Sequence, residues 1–98
     1  MSDPILSISI VSYNTREITR KCLKYVLRAI EGIESEVLVV DNASTDGSSE
    51  MIKKQFPQVN LICNPENKFF TGGHNQNLRR AKGEYILILK TDLFLSNL

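Results

Sequence analysis

The stretch from Val37 to Ser49, Val-Leu-Val-Val-Asp-Asn-Ala-Ser-Thr-Asp-Gly-Ser-Ser, constrains this chain more than any other. Its consecutive apolar residues, mostly β-branched, suit a strand buried on both faces. Asp41 stands where that strand should end. Residues Asn42 to Ser49 are small and polar; they cannot fill a core, but they turn tightly and present N–H groups and side-chain oxygens. In open α/β sheets ligands settle beyond the carboxyl ends of the strands. An acid-headed polar loop at such a place is a candidate site.

The flanking sequence repeats the pattern of strand, polar loop and helix. Ile5–Val11 reads as a first strand, followed by the loop Ser12-Tyr13-Asn14, with Asn14 or Thr15 as a helix cap. A helix over about residues 15–30 carries Ile18, Cys22, Leu23, Val26, Leu27 and Ile30 on one face. Lys21, Lys24 and Arg28 lie off that face, and Gly32 ends it. Glu36–Val40 is the second strand. A second helix starts near Ser48 and stops before Pro57. Val59–Cys63 is a third strand, closed by the turn signal Asn64-Pro65. The spacing predicts a third helix over residues 73–81 that begins at Gly72-Gly73, with Gly83 as its left-handed cap. Tyr85–Leu89 is a fourth strand. The order β-α-β-α-β-α-β, with no repeat and no linker, implies one α/β domain over residues 1–98 and a parallel sheet with right-handed crossovers. The loops at Ser12, Asp41, Asn64 and Lys90 then share one edge.

Composition excludes several function classes. The chain has 98 residues, and its apolar content of 42% and charged content of 23% are those of a soluble globular domain. A net charge of +1 gives no footprint for nucleic acid or an anionic membrane. No apolar run approaches the roughly 20 residues of a spanning helix, and the start Met-Ser-Asp-Pro does not resemble a signal peptide. Cys22 and Cys63, without a Cys-x-x-Cys pattern, read as reduced thiols in a cytoplasmic protein.

The loops also discriminate among nucleotide sites. The loop Ser12-Tyr13-Asn14-Thr15 lacks the Gly-x-Gly-x-x-Gly of a dinucleotide fold, and no Gly-x-x-x-x-Gly-Lys-Ser/Thr occurs. The paired acids of a phosphoacceptor receiver domain are absent after the first strand. Acids instead follow the second strand (Asp41) and the fourth (Asp92).

Together, Ile8-Ser9-Ile10-Val11-Ser12-Tyr13-Asn14 and Val39-Val40-Asp41-Asn42-Ala43-Ser44-Thr45-Asp46-Gly47-Ser48 resemble the opening motifs of family 2 glycosyltransferases. Asn64-Pro65-Glu66-Asn67, Gly72-Gly73-His74-Asn75-Gln76 and Ala81-Lys82-Gly83-Glu84-Tyr85-Ile86-Leu87 continue the resemblance in order, closest to its rhamnosyltransferase-like branch. The resemblance implies the N-terminal half of a GT-A fold: a Rossmann-like three-layer α/β/α arrangement whose parallel four-stranded sheet has the order 3-2-1-4. It implies a nucleotide-sugar donor, carried by UDP or dTDP, and transfer of the sugar with inversion. The implied ligand crevice lies between the first and fourth strands, with Asp41 and Asp92 about 10 Å apart at roughly 4.8 Å per strand.

Carried over residue by residue, the resemblance gives Asp41 to the nucleobase, with the Tyr13 ring beside it. Ser12, Asn14, Asn42, Asp46, Gly73 and Asn75 fall in the nucleotide-binding motifs. Asp46 is equally suited to capping the second helix. Gly72-Gly73 at a helix N-terminus would let backbone N–H groups approach a phosphate. Asp92 matches the acid that holds Mn²⁺ or Mg²⁺ against the diphosphate. His74 has no metal-ligand partners at useful spacing, and Arg79, Arg80 and Lys82 read as a solvated face.

The departures are informative. Lys90 stands where Asn or Asp is usual, so its ammonium is a candidate to neutralise diphosphate charge and make a metal dispensable. Asn77 replaces a small residue and Phe69 a glycine. The family's catalytic base is expected outside these residues, so no catalytic residue is assigned. Further sheet would normally flank the fourth strand, so association into a homo-oligomer through that edge is expected. The alternative to a donor-binding enzyme half is a non-catalytic module that binds a nucleotide or a partner protein.

Overall fold

The computed structural model describes residues 3–91. Four strands, β1 (Leu6–Ser12), β2 (Ser35–Asn42), β3 (Asn60–Asn64) and β4 (Tyr85–Leu89), alternate with α1 (Arg16–Ala29), α2 (Ser48–Gln55) and α3 (Phe69–Arg80). All pairings are parallel and the sheet order is β3-β2-β1-β4, as the resemblance implied.

The two faces of the sheet are chemically different. Side chains alternate along a strand, and Ile8 and Ile10 of β1 join Val37 and Val39 of β2 in one cluster. Cys22, Leu23 and Val26 of α1, and Met51 and Ile52 of α2, complete that cluster with Phe56 and Val59. The alternate residues of β1, Ser7 and Ser9, are buried polar groups on the face that α3 covers. The α1–α2 layer is therefore apolar, whereas on the α3 face the buried Leu38 and Val40 are joined by a network of hydrogen-bonded polar groups.

Glycine decides how closely α3 and its exit approach the sheet. A Cβ on Gly73 would lie 2.7 Å from Val11 Cγ2, and one on Gly83 would lie 2.5 Å from the Ser7 backbone nitrogen. The expected left-handed cap at Gly83 is not formed: its φ is not positive, and the residue is small because β1 passes beside it. Helix α3 also begins four residues before the expected Gly73. Asn67 Oδ1 accepts from the Phe69 N–H at 2.8 Å and starts the helix there. Gly73 is the fifth helical residue, within the helical ladder, and its N–H is not one of the free groups of a helix N-terminus.

Candidate functional site

Ser12, Asp41 and Cys63 lie level across the sheet at its carboxyl rim. The loop after β2 folds back on Asp41. Ser44 donates its N–H to Oδ2 (3.1 Å) and its hydroxyl to Oδ1 (2.7 Å). The same hydroxyl oxygen accepts from the Asn14 N–H at 2.9 Å. Asn14 Oδ1 accepts from the Thr45 N–H at 2.8 Å, and Asn14 itself holds a left-handed φ of 49°. The loops after β1 and β2 are thus stitched together over the buried Asp41. Ser44, which the sequence reading did not single out, is the stitch. Tyr13, 49% exposed, stands beside this seam.

Asp46 joins two helices. Its Oδ2 accepts from the Arg16 N–H, the first of α1, at 3.0 Å. Its Oδ1 accepts from the Ser48 N–H, the first of α2, at 3.0 Å, and from the Ser48 hydroxyl. Desolvation works against its charge, but the hydrogen bonds from Ser48 and the Arg16 and Ser48 N–H groups together hold its carboxyl below the ordinary value. Capping supplied across the fold replaces the side-chain cap expected from Asn14 or Thr15, since Thr15 makes no such bond.

Ser12 and Asn42 serve the fold. The Ser12 hydroxyl is 3.0 Å from Thr19 Oγ1, inside the turn that starts α1. Asn42 is buried, donates to the Phe69 carbonyl (3.0 Å) and accepts from Lys68 N–H (3.2 Å) and from Asn64 Nδ2 (2.8 Å). It fixes the ends of β2 and β3 to the entry of α3. That entry is strained: Phe69, where a glycine was expected, has φ +62°, a region costly for a bulky residue.

Beneath α3, Asn77 Nδ2 donates to Ser9 Oγ (2.9 Å), the Leu38 carbonyl (3.0 Å) and the Ile10 carbonyl (3.2 Å). Arg80 donates to Asn77 Oδ1 (2.7 Å) and to the carbonyls of Asn60 (2.9 Å) and Val39 (3.1 Å). Arg80 is therefore not part of a solvated face; Arg79 and Lys82 are exposed. His74 is buried with Nδ1 2.6 Å from Ser9 Oγ, while its Nε2 has no hydrogen-bond partner among the described residues. Burial lowers its pKa. Asn75, by contrast, is exposed on α3, apart from these contacts.

Across β1 from Asp41, at the end of β4, a cavity of about 350 Å³ is lined by Val11, Phe70, Leu89, Lys90 and Thr91. Lys90 Nζ sits 5.5 Å from the centroid of the Phe70 ring. That ring meets His74 edge-on, with centroids 4.3 Å apart. The candidate residues therefore fall into two groups flanking β1: the Asp41 seam, and the Lys90–Phe70 cavity. Asp92, the expected metal ligand, lies outside the described residues. Among the described residues no three His, Cys, Asp or Glu side chains converge on a point that would hold a metal. Among the described residues lining that cavity, the polar side-chain groups are an ammonium and a hydroxyl, a pair that does not by itself suit a divalent cation.

Residues 7–97 match the family described as Glycosyl transferase family 2. The chain belongs to that family. A relative, the poly(ribitol-phosphate) beta-glucosyltransferase of Bacillus spizizenii, is 31% identical over 94% of this chain and 15% of its own length. Among solved structures, the mannosyltransferase PcManGT of Pyrobaculum calidifontis, in complex with GDP-Man and Mn²⁺, superposes with a TM-score of 0.76. That match is 25% identical and covers 94% of this chain and 28% of that one. TarS 1-349 of S. aureus in complex with UDP superposes with a TM-score of 0.72 at 26% identity, over 89% of this chain and 27% of that one. This family 2 chain spans 40% or less of the length of the curated relatives it matches. Its sheet order is that of the N-terminal half of a GT-A fold. No helix among the described residues is long and apolar enough to cross a membrane.

Proposed function

We propose that this chain binds a nucleoside diphosphate-sugar across the carboxyl rim and forms the donor half of an inverting glycosyltransferase. The observation that carries the reading is the Asp41 seam. A buried carboxylate stands one residue before the end of β2 beside an exposed aromatic residue, at the edge where an open parallel sheet binds ligands. Each Asp41 oxygen accepts one hydrogen bond from Ser44 and keeps acceptor capacity for the imide N–H of uracil or thymine. Tyr13 offers a stacking face. The family relationship, and neighbours solved with UDP and with GDP-Man, support a diphosphate-linked donor.

The proposed donor lies with its base at Asp41 and Tyr13 and its diphosphate crossing β1 toward Lys90. Asp92 is the residue on which the resemblance would place a divalent cation. Transfer with inversion requires a carboxylate base to take the proton of an acceptor hydroxyl as that oxygen attacks the anomeric carbon and the diphosphate leaves. This chain is given the binding of the donor and not that base. We place the chain in the cytoplasm, a setting that keeps thiols such as Cys22 and Cys63 reduced.

Calorimetry with UDP, dTDP and GDP tests the reading. Saturable binding of a uridine or thymidine diphosphate is expected, weakened at least tenfold in Asp41→Ala. Absence of binding by every diphosphate, or equal binding by wild type and the variant, would end it. A second reading, a partner-binding module, is favoured by the fourth strand. Tyr85 is 64% exposed and Ile86, Leu87 and Ile88 are 45–47% exposed, so β4 offers an apolar edge for a second copy of the chain.

A further inference from the structure

The cavity between β1 and β4 carries a charge opposite to that of a carboxylate-held metal site. We propose that Lys90 neutralises the diphosphate in place of a divalent cation, making donor binding by this chain independent of metal. This rests on the donor-binding reading above and adds how the phosphate charge is met.

Four observations support it. The residue that follows β4 is a lysine, and its ammonium lies on the Phe70 ring, between apolar walls formed by Val11 and Leu89. Among the described residues it meets that ring, and no carboxylate pairs with it. The aromatic face holds the exposed ammonium at the mouth of the cavity, where its charge faces an entering anion. The cavity volume of about 350 Å³ falls within the range of small-molecule sites, about 300–1,000 Å³. Phe70 is itself held by the edge-on contact with buried His74, so the ammonium rests on a positioned ring.

The described residues alone would serve a divalent cation poorly at the same place. Such an ion needs several oxygen ligands, whereas the described lining offers the Thr91 hydroxyl and a positive charge that repels it. The lysine also predicts selectivity. A point charge with three donors suits phosphate oxygens, so the diphosphate should gain affinity from this site and the bare nucleoside should not.

The test is calorimetry of the full chain with UDP and with uridine, each in Mn²⁺ and in excess chelator, for wild type, Lys90→Ala and Lys90→Asp. The wild type is expected to bind UDP with affinities within threefold in the two conditions. Lys90→Ala should lose at least tenfold for UDP in chelator and under twofold for uridine. Lys90→Asp should bind UDP only with Mn²⁺. The side chain is exposed, so unchanged circular dichroism and melting temperatures are expected. Wild-type UDP binding that disappears on chelation overturns the inference and leaves the donor-binding reading intact. So does UDP binding by Lys90→Ala equal to wild type in chelator. Failure of UDP and uridine alike to bind the wild type overturns both.

Discussion

His74 shows how a residue's surroundings set its chemistry. The ring is buried between Ser9 and Phe70, and its Nε2 meets no acceptor among the described residues. Protonation would add charge and a second donor to a dry site, so burial holds the folded pKa below the ordinary 6.5. A histidine with a depressed folded pKa stabilises the fold above its unfolded pKa and loses that contribution as pH falls through 6.5 toward the folded value. Thermal melts from pH 8 to pH 5 should therefore show the wild-type melting temperature dropping below about pH 6.5. His74→Gln should flatten that drop; parallel profiles for the two proteins would remove the assignment. Neither the burial nor the Ser9 partner was legible in the sequence, where the lone histidine offered only the absence of metal-ligand spacing. Asn77 and Arg80 were equally opaque: their partners are mostly strand groups distant in the chain. Asp41 and Tyr13 were legible because strand and loop composition alone places them at the rim.

At the scale of elements, periodicity located all seven, but it misjudged where α3 starts and how α1 is capped. Glycines at residues 72 and 73 are poor helix formers and read as a turn, yet the packing distance to Val11 requires a small residue inside the helix. Strand β2 runs on to Asn42 because Asn42 is paired in register with Asn64 of β3, a tertiary fact. Capping of α1 by Asp46 is likewise non-local. A carboxylate that accepts from the first N–H of two helices also faces both positive helix ends. Loss of one cap costs about 0.5–2 kcal/mol, so Asp46→Ala should destabilise the fold by about 1–3 kcal/mol in urea unfolding. Because its folded pKa is depressed, the wild-type advantage should hold at neutral pH and fade as the acid range below 3.8 is entered. A loss below about 0.5 kcal/mol at pH 7 would show that water replaces the carboxylate at both ends.

For the whole molecule, the parallel order and the single rim shared by the strands' carboxyl ends followed from alternation, and the strand order from the resemblance. The exposure of β4 has a consequence for behaviour in solution. Among the described residues β4 has one edge without a strand partner and its apolar side chains are partly bare, so it is expected to pair with another strand. Light scattering should show mass increasing with concentration, and Ile86→Lys should hold the chain closer to its monomer mass of 11.1 kDa. A constant monomer mass for wild type at high concentration would exclude pairing through β4.

The two sides of the sheet differ in balance, one almost wholly aliphatic, the other adding amide, hydroxyl, imidazole and guanidinium to the buried Leu38 and Val40. Transfer of aliphatic surface from water loses driving force in the cold, whereas the second side contains the titrating ring. Chilling should therefore loosen the α1–α2 layer first, and mild acid the α3 layer. Exchange of backbone amides under the two stresses would trace opposite halves of the same small protein.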